Sequence, residues 1–203
     1  MAELKKIPDI NEMKKYIQEY IDDNSLTPKG TKAHNLSRNT TKYFTKLGKD
    51  LGFYVRAGNN FTILTSEKKQ YPNDGGLLEV DLVWLTDNPY HTLGKKSANK
   101  YNFSRTEKTK SEIPLALEYE KTGRILGEND FPIHQCDELW KLSFVMARVK
   151  VLIYATSTDK IDNHLAAFRE AISNIGIQQQ PAPEWRVFAI NGNKVIGTKI
   201  FPE

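Results

Sequence analysis

Two apolar runs in this chain are interrupted only by carboxylates, and few folds can accommodate that pattern. The runs are Leu77-Leu-Glu-Val-Asp-Leu-Val-Trp-Leu85 and Pro114-Leu-Ala-Leu-Glu-Tyr-Glu-Lys121. Both read as strands, whose side chains alternate between faces. Glu79 and Asp81 then share one face of the first, opposite Leu78, Val80, Leu82 and Trp84. Glu118 and Glu120 share one face of the second, opposite Leu115, Leu117 and Tyr119. Carboxylates two residues apart on one strand face have Cα atoms roughly 6.5 to 7 Å apart. Acids in core-like strands are costly to bury unless they are paired or hold a cation. On adjacent strands, Asp81, Glu118 and Glu120 can converge on a divalent metal. Mg²⁺ suits such a set, because it takes one or two carboxylates and fills its remaining positions with waters and substrate phosphates. The plain alternative is the solvated side of a half-exposed antiparallel sheet.

The rest of the chain bears on that choice. Its 203 residues suit one α/β domain, over 29–203, preceded by an N-terminal helical segment over 1–28. There are 29 basic and 25 acidic side chains, so the net charge is only +4, and its distribution matters more than its size. The single cysteine, Cys136, excludes an intramolecular disulfide framework and a cysteine-rich zinc site. It reads as a small core residue of a helix. Residues 1–9 are charged and lack an apolar signal region, and no run approaches eighteen apolar residues. The expectation is a soluble, cytoplasmic protein with no membrane partner.

Ile10, Met13, Ile17 and Ile21 form a helical stripe over 10–22. Between residues 29 and 49, Lys29, Lys32, Arg38, Lys42, Lys46 and Lys49 occur without a single acid. A helix over 40–51 puts Lys42, Lys46 and Lys49 on one face and Phe44, Leu47 and Leu51 on the other, and Gly52 ends it. The lysine face is either solvated surface or a contact for phosphates. Phe53–Val55 and Phe61–Leu64 read as a hairpin. Residues 86–113 form a basic insertion in which Lys95, Lys96, Lys100, Arg105, Lys108 and Lys110 interleave with Tyr90, Tyr101 and Phe103. That mixture suits a nucleic-acid groove, or plain disorder.

Downstream, 135–148 reads as a helix with Leu139, Trp140, Ser143, Phe144, Met146 and Ala147 as core candidates. Residues 150–155 are a continuous apolar strand of the kind covered on both faces. A helix over 160–175 carries Ile161, Leu165, Phe168 and Ile172, and an Asn-Gly turn joins strands at 184–190 and 194–200. The fold class is α/β, a mixed central sheet flanked by helices, with 114–155 a parallel strand–helix–strand unit. His34, His91, His134 and His164 are scattered and read as surface or capping residues, although His134 can approach the acids. No Gly-x-Ser-x-Gly elbow and no Gly-x-x-x-x-Gly-Lys-Ser/Thr loop is present.

The order α-β-β-β-α-β over roughly 38–156, with Asp81 on one central strand and Glu118-x-Glu120 on the next, resembles the restriction endonuclease-like (PD-(D/E)xK) nuclease superfamily. The resemblance implies a Mg²⁺- or Mn²⁺-dependent nuclease that hydrolyses phosphodiester bonds. DNA is favoured over RNA as partner, and a homodimer is possible for enzymes of this type. It assigns the metal to Asp81 and Glu118, with Glu120 as a third ligand or proton acceptor. The family's third position is normally Lys and here is Glu120; some type II restriction enzymes similarly carry Glu-x-Glu. Lys121 is the adjacent cation, directed to the other face of the strand unless a bulge re-aims it. Lys42, Lys46, Lys49, Lys95, Lys96, Lys100 and Arg105 would contact nucleic acid. Two other readings stand beside this one: a catalytically inactive nuclease-fold subunit for nucleic-acid binding or assembly, and a glycosidase using Glu118 or Glu120. Two acids on one strand face fit glycosidase geometry poorly.

Overall fold

A computed structural model describes residues 5–24, 33–57, 80–86, 112–120, 139, 141–156, 158–174, 182–191 and 194–201. Helix α1 is Ile10–Asn24 and α2 is Ala33–Asp50. Strands β1 (Tyr54–Ala57), β2 (Leu82–Leu85), β3 (Ile113–Glu120) and β4 (Ala147–Ala155) follow. A short 3-10 turn, Thr158–Lys160, leads into α3, Ile161–Asn174. Strands β5 (Glu184–Asn191) and β6 (Lys194–Phe201) close the chain. The six strands form one mixed sheet in chain order, β1 to β6. The pairs β1–β2, β2–β3 and β5–β6 are antiparallel, whereas β3–β4 and β4–β5 are parallel. The parallel pairing of the strands around 114–155 is therefore as the sequence implies.

Helices cover both faces of this sheet. On the first face, Met13, Ile17, Tyr20 and Ile21 of α1 and Phe44 of α2 pack with Leu82, Trp84, Leu115, Leu117, Val151 and Ile153. On the second, Leu139, Leu142 and Phe168 pack with Val83, Leu85, Ala116, Leu152, Tyr154, Trp185 and Val187. Strand β4 supplies residues alternately to both layers, as expected of its unbroken apolar run. The first helix is thus a cover of the core rather than a detached appendage.

Local chemistry sets the helix ends. At the start of α1 the Asp9 carboxylate accepts the N–H groups of Asn11 (2.8 Å) and Glu12 (2.9 Å), and the Glu12 carboxylate accepts the Asp9 N–H (2.7 Å). This reciprocal box satisfies donors that the first turn leaves without partners. The Glu12 N–H, chief among several causes, holds the Asp9 carboxyl below its ordinary value. The buried Arg186 guanidinium bonds the Pro8 carbonyl and the Glu184 carboxylate and ties this entry to β5. Helix α2 ends in a Schellman motif: Gly52 N–H bonds the Lys49 carbonyl (2.9 Å) and Phe53 N–H bonds the Gly48 carbonyl (2.8 Å). Gly52 has φ +83°, so Gly52→Ala should cost about 1 kcal/mol, checked by urea denaturation.

Gly48 marks where α2 meets the sheet. A Cβ there would stand 2.7 Å from both Trp84 Cε2 and Val55 Cγ2. The indole cannot yield freely, because its Nε1–H donates to the Phe44 carbonyl at 3.2 Å and its ring stacks on Phe53. Gly48→Ala should therefore destabilise the protein by about 1–3 kcal/mol despite alanine's better helix propensity, read as a lower denaturation midpoint.

The structure corrects several expectations. Helix α2 begins well before residue 40, at Ala33. The helical segment around Leu139 ends at residue 144, and β4 already starts at Ala147, inside the helix expected over 135–148. Phe144 and Met146 are consequently exposed, at 42% and 59%, rather than core. Strand β2 is only four residues long and Asp81 lies in a bend just before it. That bend puts Val80 in the second-face core, opposite Leu82 and Trp84, instead of beside them. Strand β1 pairs with β2; the partner expected at 61–64, the 86–113 insertion apart from its described ends, Cys136 and Trp140 lie outside the described residues.

Candidate active site

The acidic pair is built by strand register. In the antiparallel β2–β3 pair Leu82 is level with Leu117, and Asp81, in the bend just before β2, comes beside Glu118. Leu117 and Tyr119 face the first core, so Glu118 projects to the second face with Ala116. Each acid accepts a backbone N–H from the facing segment. Asp81 N–H donates to Glu118 Oε1 at 3.2 Å, and Tyr119 N–H donates to Asp81 Oδ2 at 2.9 Å. Glu118 is only 2% exposed, whereas Asp81 is half-buried. Each carboxylate thus has one oxygen bonded to a backbone amide, a charge-assisted bond that helps to orient it.

The pair stands at the carboxyl end of β3, where the parallel strands of open α/β sheets present ligand sites. Two hard carboxylates, one on β3 and one in the bend beside it, fit the donor set of Mg²⁺ or Mn²⁺, which takes its remaining positions from waters and phosphate oxygens. Among the described residues no three His, Cys, Asp or Glu side chains share such a site. The side chain of Glu120 lies outside the described residues, as do Glu79, Lys121, His34's side chain, His91 and His134. By register residue 120 stands level with Tyr154 of β4, on the face that Glu118 shares.

The lysine stripe forms as expected on α2, with Lys42, Lys46 and Lys49 all exposed. Lys46 pairs with Asp50 at 3.4 Å, one turn on. Helix α2 covers the first face of the sheet, so the sheet separates the stripe from Glu118 on the second face. The structure does not bring these lysines and the acids together. Lys95, Lys96, Lys100 and Arg105 lie outside the described residues.

Three buried polar groups on the second face escape a sequence reading. Lys150 is 2% exposed; its ammonium donates to the Ser143 carbonyl at 3.1 Å and sits 4.9 Å from the centre of the Trp185 ring. Burial lowers its pKa to about 8. Tyr154 is fully buried, and burial, reinforced by Asp162, raises its pKa so that the phenol stays neutral. His164, at 4% exposure, shares a 2.8 Å hydrogen bond between Nδ1 and the Thr156 hydroxyl. Burial, with Lys160, lowers the His164 pKa against the opposing pull of Asp159. The signal for His164 was present: it lies three residues after Ile161 and four before Phe168, on the inward stripe of α3.

No family model matches the sequence, and comparisons with curated proteins and with solved structures find no match. No helix among the described residues is long and apolar enough to cross a membrane.

Proposed function

We propose that the protein is a metal-dependent nuclease with a restriction endonuclease-like core, hydrolysing phosphodiester bonds in DNA. The observation that carries this reading is the Asp81–Glu118 pair, brought together at the carboxyl end of β3 by the bend before β2, each carboxylate bonded to a backbone N–H of the facing segment. The order α2-β1-β2-β3, then a helical segment and a parallel β4, supports it as the setting in which that family carries its acids.

Asp81 and Glu118 would hold Mg²⁺ or Mn²⁺, with residue 120, one pleat beyond Glu118, as a third ligand or proton acceptor. A metal held there neutralises phosphate charge, lowers the pKa of a coordinated water and steadies the leaving oxygen. The chain's own contribution is to fix two carboxylates before substrate arrives, so that no side chain must reorganise during the reaction.

One observation favours a second reading. The same two bonds hold the bend before β2 against β3 and would do so equally in an inactive nuclease-fold binding subunit. Cleavage of duplex and single-stranded DNA with Mg²⁺ or Mn²⁺, with and without EDTA, separates the two. Metal-dependent strand scission supports the nuclease. Salt-sensitive binding of DNA without scission on any substrate supports the binding subunit.

A further inference from the structure

Helix α3 docks on the sheet through a histidine. His164 and Phe168 lie one turn apart, and both meet Tyr154 of β4, the Phe168 ring edge-on at 4.9 Å and the His164 ring at 5.9 Å between centroids. His164 Nδ1 shares its 2.8 Å bond with the hydroxyl of Thr156, the residue that follows β4. Its Nε2 is buried and has no hydrogen-bond partner among the described residues. The Tyr154 hydroxyl is in the same position, so the two atoms do not bond each other. Native interiors rarely leave such atoms unpaired, and two of them at one helix contact call for a physical reason.

The bonding capacity of the ring makes this contact depend on charge. A neutral imidazole has one N–H and one lone pair, and a hydroxyl both donates and accepts. The bond to Thr156 therefore forms in either tautomer. Imidazolium has two N–H groups, and the Thr156 oxygen accepts only the one on Nδ1. Protonation thus puts a charge in the core and leaves the Nε2–H without an acceptor among the described residues. The neighbouring charges do not offset this. Burial disfavours the charged ring most, Lys160 adds to it, and exposed Asp159 opposes both. Asp162, also exposed, acts on Tyr154. The same face of the sheet carries Lys150 on β4, Glu118 on β3 and Lys199 on β6, with Lys141 in the helical segment before β4, and residue 120 stands level with Tyr154.

We propose that His164 is an acid-sensitive latch whose protonation releases α3 from β4. The neutral ring closes the helix over Tyr154, and the charged ring leaves the core for water. The latch needs no metal and stands apart from the nuclease reading. A released His164 takes its proton near the ordinary value of 6.5, whereas burial holds the docked ring below that value. Between the two values the released state binds more protons. Docking therefore weakens as pH falls through 6.5 and levels off once the docked ring is charged as well.

The test follows amide hydrogen exchange in the full-length protein from about pH 7.5 to 5, corrected for intrinsic exchange, with the His164 ring observed by NMR in the same samples. The open fraction seen by α3 amides should rise by up to about tenfold per pH unit below 6.5. That opening should depend less on urea than the opening of β4 does, because it exposes one helix rather than the whole core. His164→Leu should remove the pH dependence. His164→Asn, which keeps an amide near Nδ1 for Thr156 and cannot titrate, should remove it as well, and serves if the leucine variant fails to fold. The wild-type ring should take up its proton below 6.5. A ring that charges at or above 6.5 while α3 stays protected overturns the latch, because the core then accommodates imidazolium. So does α3 exchange that rises equally in His164→Leu or His164→Asn, which assigns the acid response to other groups. Exchange of α3 and β4 with the same urea dependence also overturns it, because the helix then leaves only with the whole fold.

Discussion

Asp81→Asn and Glu118→Gln proteins should keep their fold and lose metal-dependent DNA cleavage by at least about a thousandfold. The size follows from the several kcal/mol by which a correctly held metal stabilises charge at a phosphoryl centre, each 1.36 kcal/mol being tenfold in rate. Retention of the fold follows from the geometry. Each acid accepts a backbone N–H through one oxygen, Asp81 from Tyr119 at 2.9 Å and Glu118 from Asp81 at 3.2 Å. An amide keeps one carbonyl oxygen in the same place, so the isosteric variants preserve these two bonds while removing the charge. Asp81→Ala behaves differently, because it strips the acceptor from the part-buried Tyr119 N–H at a cost of about 1–3 kcal/mol. Thermal melts run beside the cleavage assay divide the roles. An alanine variant that melts early beside an asparagine variant that melts like wild type, both inactive, assigns the charge to chemistry and the oxygen to structure. Full cleavage by Asp81→Asn/Glu118→Gln would eliminate these acids as the metal site.

What the sequence made legible was local or periodic. The helical stripe of α1, the Gly52 stop of α2 and the antiparallel pairing of β5 with β6 each depend on residues close in the chain. The two-residue spacing of Glu118 and Glu120 and the length of the apolar run at 150–155 belong to the same class. What it hid depended on distant partners. Ala147 continues a helical spacing from Leu139 and Ser143, yet it is a strand residue because Ile113 of β3 stands beside it. The bend at Asp81, which moves Val80 to the other face, is fixed by hydrogen bonds to a strand 37 and 38 residues away. His164 reads as a surface residue until Tyr154 and Thr156 are brought beneath it. Lys150 opens the apolar run at 150–155, and only the folded chain reveals that its ammonium meets Trp185 and the Ser143 carbonyl.

That enclosed lysine leads to the second large effect. Among the described residues no carboxylate pairs with Lys150; its ammonium meets a carbonyl and a ring, and burial lowers its pKa from 10.5 to about 8. The unfolded chain keeps the ordinary value. Below pH 8 both states carry the proton and the folded state bears the whole cost of a buried charge. Between pH 8 and 10.5 the folded protein has released a proton that the unfolded chain still holds, so this group adds stability as pH rises. Above 10.5 both states are neutral and the gain stops. The gap corresponds to at most roughly 3 kcal/mol. Lys150→Met has similar volume and no charge, and gives up the bond to Ser143 and the contact with Trp185. It should therefore be more stable than wild type by about 1–2 kcal/mol at pH 7, in line with other replacements of buried ions by apolar groups. Urea denaturation of both proteins from pH 7 to 10.5 measures the difference, in which the titrations common to the two cancel. The advantage of Lys150→Met should shrink steadily above pH 8. A constant difference across that range would mean that Lys150 keeps its ordinary pKa, and that the carbonyl and the indole ring solvate the ammonium as well as water does.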